Sequence, residues 1–287
     1  LLFNSSAHEM SWRRLECCNV REVTDRSLDL ETAMALVLFT SWFSPFARKA
    51  AIALELKGLT YQAIDALARE FRSELQRVNP RIEVPVLMDD EITVVNSSDI
   101  LQYLDWRYPL PSLYPESIPD RVAARALERL ADHYFDPIVV DCSFWQWADR
   151  TDEPPAGLIA AGQKDLETCF SRLENELSMR PKPWPFGSPG VVECSWFANL
   201  LAVKPMGFKI DPTRFPNVLQ WLETMRQHPV FAADRKRTAT FMKTLSSSTH
   251  ERRRLFWSGD RIEWLLSRGF HDWFANEITS DRVAFPN

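Results

Sequence analysis

Residues 79–109 read NPRIEVPVLMDDEITVVNSSDILQYLDWRYP, and the fold is decided in this stretch. It opens on an Asn-Pro turn. Val84-Pro85-Val86-Leu87 then reads as a short apolar strand whose second residue is proline. Proline cannot donate to a sheet ladder, so it belongs at a strand start or carries a special bond. A cis bond suits, because X-Pro is the linkage for which cis is cheap. Asp89-Asp90 makes the turn, and Glu91 to Val95 pairs back as a second strand. Ser97-Ser98-Asp99 is a run of good helix N-caps, after which Ile100, Tyr103 and Leu104 recur at helical spacing.

Upstream, Leu36 to Phe39 is the first strand expected, and Thr40-Ser41-Trp42-Phe43-Ser44-Pro45-Phe46 leads from it into a helix. Ser44 is its predicted N-cap, and Pro45 suits the first turn, where an N–H would be unpaired anyway. Ala47, Ala50, Ala51 and Leu54 form one apolar stripe and Ile52 and Leu56 a second, so this helix is expected to be buried on more than one side. Lys57-Gly58 closes it with a cation and a glycine. Leu59 to Ile64 is the next strand, completing a β-α-β unit for which parallel pairing is expected. Asp65 to Val78 reads as a mobile connector or a short helix.

Pro109, Pro111 and Pro115 mark a linker into a helical region. Ala123, Leu127, Leu130 and Tyr134 share one helix face. Pro137 is expected to break or kink that helix, and the aromatics Phe144, Trp145 and Trp147 follow. Helices are predicted over Leu158 to Met179 and over Val191 to Val203, the latter apolar nearly throughout and hence central. From about residue 236 onward, Ser246 to Thr249 reads as a hinge and Asp260 to Ala275 as an amphipathic helix. Arg252-Arg253-Arg254 reads as a solvated face. The aromatics Phe256, Trp257, Trp264, Phe270 and Trp273 are too many for a solvated tail, so this segment should pack on the helical region or over a cleft.

The 287 residues suffice for two domains. A net charge of −5 gives no electrostatic case for nucleic acid, and no apolar run approaches the roughly 18 residues of a spanning helix. The five cysteines are scattered and odd in number, with no C-x-x-C, which argues against a disulfide framework or a zinc site and suits a reducing cytoplasmic setting. Residues 1–33 lack an apolar centre and directly precede Met34. They are expected to be a disordered tail or a start-site artefact.

Val84-Pro85-Val86-Leu87, then Asn96-Ser97, then Ile100 with Tyr103-Leu104 resembles the second half of the thioredoxin-like domain of cytosolic glutathione transferases. Ser44-Pro45-Phe46-Ala47-Arg48 through Leu54 resembles the S-P-F segment of the tau class, and the C-P-F-A segment of the omega class with serine in place of cysteine. The resemblance spans about residues 36–235. It implies an α/β N-terminal thioredoxin-like domain (34–110) that binds glutathione, followed by an all-α C-terminal helical domain (118–235) and an added extension (236–287). Phe215 to Leu222 resembles the family's late helix, with Val218, Leu222 and Met225 inward. Gly190 and Glu193 correspond to a Ser/Thr-x-x-Asp capping box, here half present.

The resemblance implies an enzyme with glutathione as co-substrate, no metal, and a homodimeric, cytoplasmic, detoxifying protein. Ser44 would hold the thiolate. Phe46, Arg72, Val84, Pro85, Asn96 and Ser97 would bind glutathione, and Tyr134 and Trp145 a small hydrophobic electrophile. Val84 would pair with the cysteinyl unit, Ser97 would take the γ-glutamyl carboxylate, and Arg72 would reach the glycyl carboxylate. Ser41 is the runner-up serine. Asn96 replaces the family's acidic residue, and Glu83 is a poor neighbour for a negatively charged tripeptide. Those two departures favour an alternative, a non-catalytic binding or scaffold protein on the same fold. An isomerase of the zeta class is a third reading, which Ser41-Trp42-Phe43-Ser44 fits poorly.

Overall fold

The computed structural model describes residues 20–22, 36–66, 71–147, 150–244, 255–256 and 259–284. Strand β2 (Leu36–Thr40) is buried along its whole length, as a strand covered on both faces must be. With the two-residue period of a strand, Leu36 and Leu38 face helices α1 (Pro45–Leu56) and α3 (Ser97–Arg107), while Val37 and Phe39 face Phe71 and Leu75 at α2 (Arg72–Val78). Strand β3 (Tyr61–Asp65) pairs parallel to β2, as expected of the β-α-β unit. Strand β4 (Val86–Asp89) runs antiparallel to β2, with Val86 opposite Phe39. Strand β5 (Ile92–Val95) pairs back on β4, with Val95 opposite Val86.

Residues Val20–Glu22, inside the expected tail, form an edge strand β1 parallel to β3, giving the order β1-β3-β2-β4-β5. They are ordered by backbone pairing along a free sheet edge, which needs no apolar run to signal it. The rest of residues 1–33 lies outside the described residues.

The Val84–Pro85 bond is cis. The strand starts one residue later than the apolar run does, at Val86, because proline has no N–H for the ladder. Helix α3 starts at Ser97 with Asn96 as its cap residue, at φ 68°. Asn is among the residues that tolerate positive φ most readily.

Helix α4 (Ile118–Leu130) does not break at Pro137. It passes through one π-helical turn (131–135) into α5 (Asp136–Trp147). The widened turn accommodates a proline that lacks an N–H and whose ring crowds the carbonyl four residues back. It also shifts the phase of the apolar stripe. Leu127, Leu130, Ala131 and Phe135 are buried, whereas Tyr134, expected on that face, is 60% exposed.

Helices α6 (Leu158–Ser178), α7 (Val191–Val203), α8 (Pro216–Gln227) and α9 (Pro229–Thr244) complete the bundle. Helix α7 is buried on nearly every side and packs against α1, α4, α5 and α8. Its cap is half made, as expected: Gly190 N–H donates to Glu193 Oε2 at 2.9 Å. The missing half has a steric reason. A Cβ on Gly190 would stand 2.3 Å from the carbonyl oxygen of Leu113 in the linker, so no serine or threonine fits.

The amphipathic helix expected over 260–275 is two helices, α10 (Gly259–Ser267) and α11 (His271–Thr279), parted at Gly269, whose φ is 86°. Strands β6 (Leu255–Phe256) and β7 (Val283–Ala284) pair parallel beside them. The extension packs on the helical region. Trp264, Leu265 and Phe274 join the main core, and Trp264 Nε1 donates to Asp165 at 2.9 Å. Arg150 pairs with Glu277. The expected hinge at Ser246 to Thr249 and the run Arg252 to Arg254 lie outside the described residues.

Candidate functional site

Three segments meet at one end of the sheet. Strand β2 leaves its ladder at Thr40 and turns into α1. Strand β4 enters opposite it, just after Pro85, and β5 exits beside Val86 into α3. The N-termini of α1 and α3 therefore open at the same sheet end, each with partial positive charge.

Ser44 is half-buried at the α1 N-terminus. Its N–H donates to Ser41 O at 2.9 Å, and its Oγ accepts from Ala47 N–H at 3.3 Å. The hydroxyl oxygen is thereby engaged as an acceptor, and its hydrogen stays available to donate outward. Ser41 is fully buried, with its Oγ facing Phe43 N–H at 3.4 Å, so burial separates the two candidate serines. Phe46 is half-buried in the first turn of α1.

Val84 is half-buried and lies outside the ladder, which ends at Val86, so the main chain of Val84 borders the opening. Ser97 is buried at the first position of α3, and Asn96 is exposed beside it. Asn96 makes no side-chain cap bond. Its Nδ2 donates instead to Asp99 Oδ2 at 3.2 Å, which brings a carboxylate next to the amide. Glu83 is not an isolated negative charge either: Arg81 bonds both its oxygens, at 2.9 and 3.0 Å.

Two further expected residues stand on other elements. Arg72 is exposed on α2, which covers the sheet face opposite α1 and α3. Trp145 meets Phe144 edge-on and Trp273 of α11 at a tilt, with ring centroids 5.5 and 5.6 Å apart. Trp145 is partly buried, so the extension covers one side of its ring. Among the described residues, no group of His, Cys, Asp and Glu is placed to hold a metal ion.

Sequence reasoning missed a buried charge network behind the site. Lys49, one turn into α1, reaches Glu128 at 2.7 Å, Asp132 at 2.5 Å and Ser98 Oγ at 3.0 Å. Burial works against its charge, but Asp132 and Glu128 together outweigh it and hold Lys49 above the ordinary lysine value. Arg48 pairs with Asp234 of α9, its Nη2 2.6 Å from Oδ2. The one available signal was two adjacent cations in a stretch otherwise read as apolar. On a widely buried helix, such cations require partners from other elements.

Residues 38–112 match the family model described as glutathione S-transferase, N-terminal domain. A probable maleylacetoacetate isomerase of Vibrio cholerae is 38% identical over 99 residues, which is 33% of this chain and 46% of that protein, so the match spans less than half of the relative. Glutathione S-transferase U13 of Arabidopsis thaliana is 35% identical over 207 residues, covering 67% of this chain and 86% of the relative. The crystal structure of maleylacetoacetate isomerase from Anaeromyxobacter dehalogenans, with glutathione bound in its active site, aligns at 26% identity and a TM-score of 0.56, covering 70% of this chain and 95% of that one.

Proposed function

The chain belongs to the glutathione S-transferase family, and on that premise we propose that it holds the thiol of glutathione as thiolate for attack on a small hydrophobic electrophile. A free thiol titrates near ~8.5 and is mostly protonated at neutral pH. A hydrogen bond donated to sulfur favours the charged form, and the α1 N-terminus adds partial positive charge. The carrying observation is Ser44: a half-buried N-cap whose oxygen is taken by Ala47 N–H and whose hydrogen is free for the ligand.

In this reading the Val84 main chain, beside Pro85, pairs with the cysteinyl unit, and Phe46 flanks it. Ser97 and the first N–H groups of α3 take the γ-glutamyl carboxylate, since helix N-termini suit anions. Asn96 accepts from the α-amino group, with Asp99 beside it supplying the negative charge that the amide lacks. Arg72 serves the glycyl carboxylate. Tyr134, exposed on the π-helical turn, remains the electrophile contact.

A homodimer in the cytoplasm with a detoxifying role completes the reading. Ile92, Trp106, Leu110, Ile118 and Val122 are each at least 49% exposed, a set of large apolar side chains suited to a second copy. Isomerisation is the second reading, favoured by relatives named maleylacetoacetate isomerase. The same thiolate can add to and leave an activated double bond.

The test is a pH–rate profile of Ser44→Ala with a generic aryl halide, alongside calorimetric titration of glutathione. A hydrogen bond to a charged group is worth roughly 1.5–3 kcal/mol, so the bound thiol should titrate about one to two units higher. The neutral-pH rate should fall accordingly and recover in base, with glutathione affinity near the parent's. An unchanged profile would remove Ser44 from the chemistry. A parent that binds glutathione but is inert would favour the scaffold alternative.

A further inference from the structure

Helix α9 reaches the Ser44 loop from the far part of the chain. We propose that Arg237 is a positioning residue, which holds the loop through Trp42 so that the Ser44 hydroxyl meets the sulfur; this rests on the Ser44 reading above. Trp42 stands two residues before Ser44 and is 4% exposed. The Arg237 guanidinium lies over its ring, 4.4 Å from the centroid, well within the reach of a cation–π contact.

Arg237 is itself 6% exposed and fixed from below: its Nη2 is 2.6 Å from Glu55 Oε1. Tyr61 donates its hydroxyl to the same Glu55 oxygen at 3.0 Å. One turn earlier on α9, Asp234 receives the Arg48 guanidinium through bonds of 2.6 to 3.2 Å. Helix α9 therefore grips α1 near both ends, at Arg48 and at Glu55, and grips the preceding loop at Trp42.

The loop is closed by short-range bonds. Ser44 N–H to Ser41 O, at 2.9 Å, is its turn bond, and Phe43 N–H to Ser41 Oγ is long at 3.4 Å. The buried Trp42 ring ties the loop to α9 through Arg237. A planar guanidinium can stack on an indole and pair with a carboxylate together, which an ammonium does less well. Catalytic donors are sensitive to small displacements, so freeing Trp42 should degrade the Ser44 hydrogen bond without touching the groups proposed to bind glutathione.

The experiment compares Arg237→Gln and the milder Arg237→Lys with the parent, each also in a Ser44→Ala background. Arg237→Gln should lower kcat/KM at neutral pH about fivefold and raise the bound thiol's pKa, with the KM for glutathione unchanged. Arg237→Lys should fall between. In the Ser44→Ala background, the Arg237 substitutions should have no further effect on the pKa. Hydrogen exchange of residues 40–47 should quicken in Arg237→Gln, a readout independent of catalysis. Unchanged exchange in a folded variant overturns the proposal, as does an equal loss of rate in both backgrounds. If Ser44→Ala alone leaves the profile unchanged, the Ser44 reading fails, and the exchange data then judge Arg237 separately.

Discussion

Asp136 should make the protein lose stability as pH rises through the mildly acidic range. It opens α5 and is 2% exposed. One carboxylate oxygen has no partner, and the other is 3.6 Å from Arg261 of α10. Burial pushes its pKa up to about 6 from 3.8; Arg261 opposes that, while Asp132 and Asp260 reinforce it. A carboxyl with a higher pKa folded than unfolded takes up a proton on folding, so its contribution is present at acidic pH and is lost as pH rises from about 4 through 6. At 1.36 kcal/mol per pKa unit, the loss approaches about 3 kcal/mol by neutral pH.

Asp141 and Glu193 are buried acids shifted upward as well, Glu193 to about 7, so they slope the same way. Subtracting a variant from the parent gives the Asp136 contribution together with the part of the Asp141 shift that the Asp136 charge causes. The perturbation is Asp136→Asn, which keeps the shape and removes the titration. The assay is urea unfolding of both proteins at about pH 5, 6 and 8. The parent should be more stable at the acidic end. The variant should have a shallower slope and, at the alkaline end, match or exceed the parent. A parent whose stability is flat from about pH 5 to 8, or a variant with an unaltered slope, refutes the reasoning.

Two substitutions test the packing. Gly190→Ser restores the family-like cap residue on paper, yet its Cβ meets the Leu113 carbonyl at 2.3 Å; stability should drop by roughly 1–3 kcal/mol instead of rising, read from chemical denaturation. Trp264→Ala removes a side chain that is 8% exposed and bonded to Asp165. It should cost roughly 3–5 kcal/mol and quicken hydrogen exchange across residues 259–279, whereas unaltered exchange would mean that the extension does not depend on this anchor.

Residues 79–109 held enough local information to be read directly. Proline excluded itself from the ladder and Asn96-Ser97 opened a helix, each a matter of a few neighbouring residues; the turn expected at Asp89-Asp90 falls one residue later, at Asp90-Glu91, because Asp89 still pairs with Ile92. Ser44 was legible for the same reason, since a cap is a contact three residues long. What the chain could not announce was anything set by distant partners. The π-helical turn before Pro137 shifted the phase of the apolar stripe and left Tyr134 outward. Trp145 was met by Trp273 of α11, more than a hundred residues later. Gly190 was required by a linker carbonyl and not by its own backbone angles. Lys49, Arg48 and Glu55 looked like polar interruptions of an apolar helix until α4 and α9 supplied Glu128, Asp132, Asp234 and Arg237. Buried charges are stable only when paired. Their partners come from whichever elements the core brings together, so tertiary packing decided what lies behind the serine.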